Sequence, residues 1–217
     1  MNRRVFLIGT PAVLAGCQHD AGPPFAQLID FGETYRSMYA SIDTERFPVP
    51  TIDLSSIDRR FLRAEVTYET SENPGTIVVD PTERYAYLIL GSGRAIRYGV
   101  GVGREEAFNF NGAAVVLRKA EWPRWTPTPD MIRREPERYG KYAEGLSGGP
   151  RNPLGPRALY LFRNGNDTLY RLHGTVEPWT IGTMVSSGCV RFINQDIIDL
   201  YRRTPIGAKV VVLQTHG

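Results

Sequence analysis

Short apolar runs, separated by polar and turn residues, make up most of the sequence after Pro74. The runs are five or six residues long and rich in valine, isoleucine, leucine and tyrosine, which is typical of β-strands. Gly91-Ser92-Gly93 and Asn164-Gly165 supply turns between neighbouring runs. The predicted strands are residues 76–80, 86–90, 95–100, 113–117, 158–162, 168–172 and 209–213. This pattern predicts a mainly β protein, built as a mostly antiparallel sheet or sandwich.

One clear helix is predicted near the end of the chain. Asn194 is a suitable N-cap, Asp196 places negative charge in the first turn, and an apolar stripe follows before Pro205-Ile206-Gly207 ends the helix. Shorter helices are predicted within residues 25–39 and 56–62. The sheet is therefore expected to carry one or two small helices.

The stretch from residue 122 to residue 156 is rich in proline and has no clear strand or helix pattern. It forms a long inserted loop that contains Trp122 and Trp125. A long irregular stretch inside a compact domain is often a lid or a binding loop. The alternative is a surface cover for the sheet, with the tryptophans as its apolar anchors. The sequence favours neither.

Composition and charge exclude several classes of protein. The chain has 217 residues, of which 41% are hydrophobic and 23% are charged, so it can bury a core. The 26 basic and 23 acidic side chains nearly balance and are interspersed, whereas a nucleic-acid-binding surface would cluster its basic residues. His19, His173 and His216 are scattered, with no pair at metal-ligand spacing. We therefore predict no nucleic-acid partner, no metal and no cofactor.

The first residues have the order of features found in an export signal. Arg3 and Arg4 form a basic head, and residues 5–15 are apolar but too few to span a bilayer. This apolar run ends in Leu14-Ala15-Gly16-Cys17. This order resembles the signal peptide of bacterial lipoproteins, in which the cysteine thiol receives a diacylglyceryl group before cleavage. The arginine pair also resembles, in part, a twin-arginine export motif. The alternative is a buried N-terminal helix that happens to end in cysteine.

The lipoprotein resemblance implies a domain organisation and a location. Residues 1–16 would be the signal peptide, residues 17–73 a lipidated tether with some ordered packing, and residues 74–214 the main domain. The protein would be exported, periplasmic and anchored to a membrane through lipid on Cys17. Which membrane holds the lipid, and the oligomeric state, stay open.

One cysteine, Cys189, remains once Cys17 is assigned to lipid. Exported proteins usually oxidise their cysteines in pairs, so a solitary one is either an inert core residue or a reactive thiol. His173 lies sixteen positions earlier, at the end of a predicted strand. Its imidazole could take the thiol proton and, as an ion pair, lower the thiol pKa. Gly188 permits a tight turn whose backbone N–H groups could bind an oxyanion.

Arg191 follows the cysteine by two positions and has two possible roles. Its planar fork could hold a substrate carboxylate in a bidentate arrangement. The alternative is a structural ion pair with Asp196 or Asp199, which are close in sequence.

The run from His173 to Asn194, H-G-T-V-E-P-W-T-I-G-T-M-V-S-S-G-C-V-R-F-I-N, resembles the L,D-transpeptidase family. The YkuD-like catalytic domain of that family carries a histidine, then Ser/Thr-x-Gly-Cys and a following Arg or Asn. The match covers roughly residues 74–213 and implies that Cys189 is the nucleophile and His173 the general base and acid. It also implies that the backbone carbonyl of Gly174 orients the imidazole, as a side-chain acid does in serine triads.

The resemblance also suggests the substrate-binding residues. Ser187 stands where many members have histidine, so an auxiliary polar contact is lost while proton transfer should be unaffected. Tyr160 and Arg151 are further candidates for substrate contact, beside Arg191 and Ser187.

The implied reaction is acyl transfer on peptidoglycan stem peptides, which would serve as donor and acceptor. Cys189 would attack the amide between the diamino acid at position three and the terminal D-Ala. An amine would then resolve the thioester, giving 3-3 cross-links or attachment of a protein to the wall. With water as acceptor the protein would be an L,D-carboxypeptidase. Another Cys–His cell-wall peptidase and a non-catalytic wall-binding lipoprotein are the remaining alternatives.

Overall fold

The fold is given by a computed structural model, which describes residues 31–103, 110–186 and 188–214. The strands are β1 (Ala64–Thr67), β2 (Ile77–Asp80), β3 (Tyr85–Gly91), β4 (Arg94–Gly103), β5 (Gly112–Glu121), β6 (Arg157–Arg163), β7 (Asn166–His173), β8 (Met184–Ser186), β9 (Val190–Phe192) and β10 (Lys209–Val212). The α-helices are α1 (Phe31–Met38), α2 (Pro129–Arg134), α3 (Pro136–Tyr139) and α4 (Asn194–Arg203).

The strands form one sheet in the order β1-β4-β3-β2-β10-β5-β6-β7-β9, with β8 paired to β4. Most neighbours are antiparallel, but the pairs β2–β10, β4–β8 and β7–β9 are parallel. Because β9 also pairs with β4, the path from β4 to β9 returns on itself around an apolar interior. The mainly β prediction is confirmed, and the closure of the sheet is a feature that local sequence patterns do not predict.

The interior is filled by alternate side chains of the paired strands. On β2, Ile77 and Val79 are fully buried, as the two-residue period of a strand requires. Tyr98 and Phe192 meet edge to face with ring centroids 6.0 Å apart. The Tyr98 hydroxyl donates a hydrogen bond of 2.7 Å to the Asp199 carboxylate, which fastens α4 to the sheet.

The seven predicted strands are all present, with ends that differ by a few residues. Three further strands, β1, β8 and β9, were not predicted because they are short and none contains a continuous run of three apolar residues. Such short strands are defined by the neighbours they pair with, and a local pattern cannot show that pairing.

The segment before β2, predicted as a tether with some ordered packing, is folded onto the sheet. Tyr39 and Phe61 are buried in an apolar cluster together with Ile181 and Ile193, and β1 pairs with β4. Residues of the range 39–67 thus pack against the sheet, and the division of the chain at residues 16 and 73 stays a prediction. The chain before α1 lies outside the described residues, as does the predicted signal peptide.

Two 3₁₀ turns, Leu54–Ser56 and Arg59–Phe61, stand where a helix was predicted at residues 56–62. Asp53 and Asp58 cap them, since each carboxylate accepts a backbone N–H two residues later. Among the described helices, none is long and apolar enough to cross a membrane.

The insert between β5 and β6 contains α2, α3 and a 3₁₀ turn, and its tryptophans are packed. Trp122 is buried, and its ring meets Phe47 edge-on with centroids 5.0 Å apart. Trp125 packs against Tyr139 at 6.1 Å between centroids. These contacts match the interpretation of the insert as a cover anchored by its tryptophans.

The late helix α4 begins one residue earlier than the N-cap prediction requires. Ile193 occupies the N-cap position and Asn194 is the first helical residue, so Asn194 does not cap the helix. Asp196 lies in the first turn as predicted, but it is fully buried and accepts a 3.1 Å hydrogen bond from the Tyr39 hydroxyl. Burial raises the pKa of Asp196 to about 7, although Arg63 beside it acts in the opposite direction. Burial thus opposes the negative charge that was predicted for the first turn.

Candidate active site

The parallel pairing of β7 with β9 brings together the histidine and cysteine singled out in the sequence. In this pairing Leu172 is opposite Val190, and His173 is opposite Arg191. Register partners point to the same face of a sheet, and so do residues two apart on one strand. His173, Arg191 and Arg171 therefore share one face, and Cys189, immediately before β9, continues the same alternation.

The cysteine is tied to the neighbouring strand by two contacts. Its Sγ lies 3.8 Å from the carbonyl oxygen of Leu169, and the backbone N–H of Arg171 donates a hydrogen bond to the sulfur. Leu169 has φ 63°, which turns its backbone out of the regular strand conformation. The thiol thus lies beside β7 at Arg171, which is two residues before His173 on that strand.

The imidazole of His173 is oriented by its own chain. The ring is buried, and Nδ1 lies 2.6 Å from the carbonyl oxygen of Gly174. Because a carbonyl can only accept, Nδ1 must carry the hydrogen, which leaves Nε2 free to accept a proton. This is the contact that the sequence resemblance implies for Gly174.

Burial and two arginines keep the imidazole neutral. Burial, followed by the charges of Arg191 and Arg171, lowers the pKa of His173 to about 3, although the hydrogen bond to Gly174 favours the charged form. At pH 7 the ring is therefore an uncharged base.

The thiol is also neutral in the resting site. Burial raises the pKa of Cys189, and the Arg171 charge and N–H offset only part of that effect. The sequence led us to expect an imidazolium–thiolate pair with a lowered thiol pKa. The structure differs because the cost of removing a charged imidazole or a charged thiol from water outweighs the electrostatic effects that would favour the charged forms.

Arg191 forms an ion pair, but not with the partners considered in the sequence. Its Nη1 is 2.8 Å from Oε2 of Glu177 and 3.5 Å from Oγ1 of Thr180. Asp196 and Asp199 instead face Arg63, at 3.5 and 2.8 Å. The alternative to a substrate clamp is therefore a structural ion pair between Arg191 and Glu177.

Tyr160 lies on the same face as His173 and Cys189, between two arginines. It is the register partner of Arg118 on β5 and of Arg171 on β7. The guanidinium carbons lie 4.3 and 4.4 Å from the Tyr160 ring centroid. Arg171 is further held by Asp167 through two hydrogen bonds of 2.6 and 2.8 Å. With the ring so enclosed and the residue buried, its role in substrate contact remains a prediction.

The other predicted site residues are placed as follows. Gly188 has φ 127°, a backbone conformation that side chains rarely adopt, and the residue is buried beside the cysteine. Arg151 is exposed, in a turn of the insert. Ser187 and Cys17 lie outside the described residues. Within the described ranges, no cluster of His, Cys, Asp and Glu could hold a metal ion.

A groove of about 480 Å³ opens beside the turn that follows His173. The segment before β1, the insert and the loop after β7 all contribute to its walls. Its lining includes Pro50, Ile52, Trp122, Pro150, Thr175 and Trp179. Trp179 is 62% exposed, so the groove has an aromatic rim.

Sequence reasoning missed three polar residues of this region. Arg171 could have been found from the alternation along β7, since it lies two residues before His173. Glu177 and the orientation of Asn194 depend on contacts across the fold, for which the local sequence holds no signal.

Comparison with known proteins identifies the family. The model of the L,D-transpeptidase catalytic domain, YkuD, matches residues 74–212. The probable L,D-transpeptidase ErfK/SrfK of Escherichia coli is 39% identical over 141 residues, which cover 63% of this chain and 43% of that protein. Its Salmonella typhimurium counterpart is 29% identical over 212 residues, covering 95% of this chain and 64% of that protein. This chain belongs to the L,D-transpeptidase family with a YkuD catalytic domain.

One solved structure carries a different name. A Brucella melitensis protein named a probable carnitine operon oxidoreductase caia is 51% identical, with a TM-score of 0.50, covering 74% of this chain and 99% of that one. The family assignment rests on the match to the catalytic-domain model, which spans more than half of this chain. The chain spans 43% and 64% of the length of the two curated relatives named above.

Proposed function

We propose that this protein is a peptidoglycan L,D-transpeptidase that works through Cys189 and His173. The observation that carries the proposal is the hydrogen bond of His173 Nδ1 to Gly174, on a strand paired in parallel with the strand that Cys189 precedes. It leaves Nε2 as the base on the face shared with the thiol. The family membership supplies the substrate class, the stem peptides of peptidoglycan.

The first half of the reaction forms a thioester. Sγ of Cys189 attacks the carbonyl carbon of the diamino acid at position three as Nε2 of His173 takes the thiol proton. The tetrahedral intermediate then breaks its C–N bond, and the imidazolium gives the proton to the departing amine of D-Ala. The N–H groups at Gly188 are the proposed donors to the oxyanion.

The second half regenerates the thiol. An amine from another stem peptide, or from a protein, loses a proton to His173 and attacks the thioester. The C–S bond breaks, and the proton returns to sulfur. The product is a 3-3 cross-link or an attached protein, and water in place of the amine would give an L,D-carboxypeptidase.

The neutral resting pair fits this order of events. Two positive charges near His173, those of Arg191 and Arg171, oppose formation of imidazolium. A substrate carboxylate bound to Arg191 would offset one of them, and the developing oxyanion would offset the other. Proton transfer would then accompany attack on the bound substrate.

Incubation of the purified protein with a disaccharide-tetrapeptide tests the reaction class. We expect release of D-Ala and a dimer, detected by mass. Cys189→Ala should abolish both products, and His173→Ala should lower turnover by about 10²–10⁴-fold, the usual range for loss of general-base help. Ser187→His should keep much of the activity. Absence of D-Ala release by the wild-type protein would leave the wall-binding lipoprotein as the better interpretation.

Arg191 is proposed to bind a carboxylate of the donor stem. Arg191→Ala should then lower kcat/KM by about 10–100-fold, because a charged hydrogen bond contributes about 1.5–3 kcal/mol, with little change in melting temperature. Arg191→Lys should recover only part of the loss. Glu177→Gln is the matched control, since it removes the ion pair and leaves the guanidinium in place.

The two roles of Arg191 give opposite results in this pair of variants. A clamp predicts that Glu177→Gln keeps kcat/KM within a few-fold of wild type. A structural ion pair predicts that both variants lose melting temperature equally while their kinetics stay close to normal, and that result would remove the clamp.

We also propose that the protein is a periplasmic lipoprotein, anchored to a membrane through Cys17. The support is the order of basic, apolar and small residues before that cysteine. Cells grown with a fatty-acid analogue should label the wild-type protein and Cys189→Ala, but not Cys17→Ser. Equal labelling of Cys17→Ser, or none on the wild type, would contradict the anchor.

A further inference from the structure

Asn194, the first residue of α4, directs its side chain away from its own helix. Its Oδ1 accepts a hydrogen bond of 2.9 Å from the backbone N–H of Thr175, nineteen residues earlier in the chain. The start of α4 carries no side-chain cap, so the amide oxygen is used for this long-range contact instead.

The amide oxygen of Asn194 lies against two glycines, Gly155 and Gly174, whose missing side chains leave space for it. An ideal Cβ on Gly174 would lie 2.3 Å from Asn194 Oδ1, and one on Gly155 would lie 2.6 Å from it. Both distances are far below van der Waals contact, so any side chain at either glycine would displace the amide. Gly155 also has φ 64°, a conformation that glycine adopts at least cost. The backbone is thus shaped to admit this one oxygen.

The hydrogen bond reaches the catalytic histidine through a single peptide group. The N–H of Thr175 and the C=O of Gly174 belong to the same planar unit and point in opposite directions. Asn194 binds the N–H side of that unit, and Nδ1 of His173 binds the C=O side at 2.6 Å. The orientation of this peptide plane therefore decides where the carbonyl points.

We infer that Asn194 is a positioning residue, which fixes the Gly174–Thr175 peptide and through it the tautomer and orientation of His173. This inference rests on the proposed function, because it assigns a role in preparing the general base. With the plane fixed, the carbonyl holds the hydrogen on Nδ1, which leaves Nε2 as the acceptor. Without the anchor, the plane can rotate and the other tautomer becomes available.

The neighbouring residue provides a matched control. Gln195 is buried in the same turn of α4, and its Nε2 donates to the carbonyls of Tyr39, Ala40 and Pro50. Its hydrogen bonds hold the N-terminal segment rather than the turn that follows His173. Gln195→Ala should lower the melting temperature and leave the tautomer and the pH profile of kcat/KM unchanged.

The test compares four variants of the full chain by three measurements. These are the ¹⁵N chemical shifts of the His173 ring, which distinguish the tautomers, kcat/KM on a tetrapeptide donor, and the melting temperature. Asn194→Ala should give a mixture of tautomers and lower kcat/KM by about 10–100-fold, the scale of a small misplacement in a site. Asn194→Ser, whose hydroxyl is too short to reach the N–H, should behave in the same way if Asn194→Ala does not fold.

Asn194→Asp supplies the rescue. Its carboxylate offers the same acceptor to Thr175 and suits the N-terminal end of a helix, so the fold should be retained. We expect a single Nδ1–H tautomer and kcat/KM within about threefold of the Gln195→Ala control. The added negative charge should move the acid limb of the pH profile to higher pH, because it favours imidazolium.

A single unchanged tautomer and normal kcat/KM in Asn194→Ala would overturn the inference. Equal losses in Asn194→Ala and Gln195→Ala, with no rescue by Asn194→Asp, would overturn it as well, since they would mark a general effect on stability. The ring shifts need no substrate. The wild-type protein could therefore be inactive and still show a single tautomer that is lost in Asn194→Ala. That result would contradict the proposed function while supporting the positioning role.

Discussion

The placement of Cys189 and His173 depends on the parallel pairing of β7 with β9. Strand β9 is only three residues long and lies between β7 and β4, so it gains its register from both sides. Arg191 is opposite His173 on one side and Gly101 on the other. A slip of one residue would turn Arg191 to the opposite face of the sheet and break the alternation that Cys189 continues. The closed path of the sheet holds this register in place.

Charged side chains surround two neutral groups, the thiol of Cys189 and the imidazole of His173. Desolvation holds the thiol and the imidazole uncharged, and Arg171 and Arg191 reinforce this for the imidazole while they favour thiolate. Arg171 is itself fixed by Asp167 and by the Tyr160 ring, and Arg191 by Glu177. Each arginine therefore has a fixed position and acts on the reacting pair as a stationary charge.

Local sequence patterns predicted the parts of the fold that local forces determine. Seven strands and α4 were recognised because each strand contains a run of apolar residues and the helix carries an apolar stripe. Cys189 was recognised because it follows the turn-forming Gly188, His173 because it ends a predicted strand just before Gly174, and both because they fall in the motif that resembles the family. Strand β9 was missed because three residues carry no period, although it positions the cysteine.

The remaining differences arise from contacts between distant segments. Asn194 has the residue type of an N-cap, yet its oxygen binds Thr175 because the two glycines leave room for it. The N-terminal segment lacks a strong pattern of its own, and Phe61 is buried because it meets Ile181 and Ile193 from far along the chain. The ion pair between Glu177 and Arg191 likewise forms because the fold brings separate segments into contact.

Both Cys189 and His173 rest in their uncharged forms, as thiol and imidazole. The pH dependence of alkylation of Cys189 tests this most directly, with Cys17→Ser as background so that one thiol remains. We expect a rate that rises only at alkaline pH, with a midpoint above that of an ordinary thiol at about 8.5, and little change at pH 7 in His173→Ala. A fast, constant rate between pH 6 and 8 that His173→Ala abolishes would contradict it, because that is the behaviour of a thiolate–imidazolium pair.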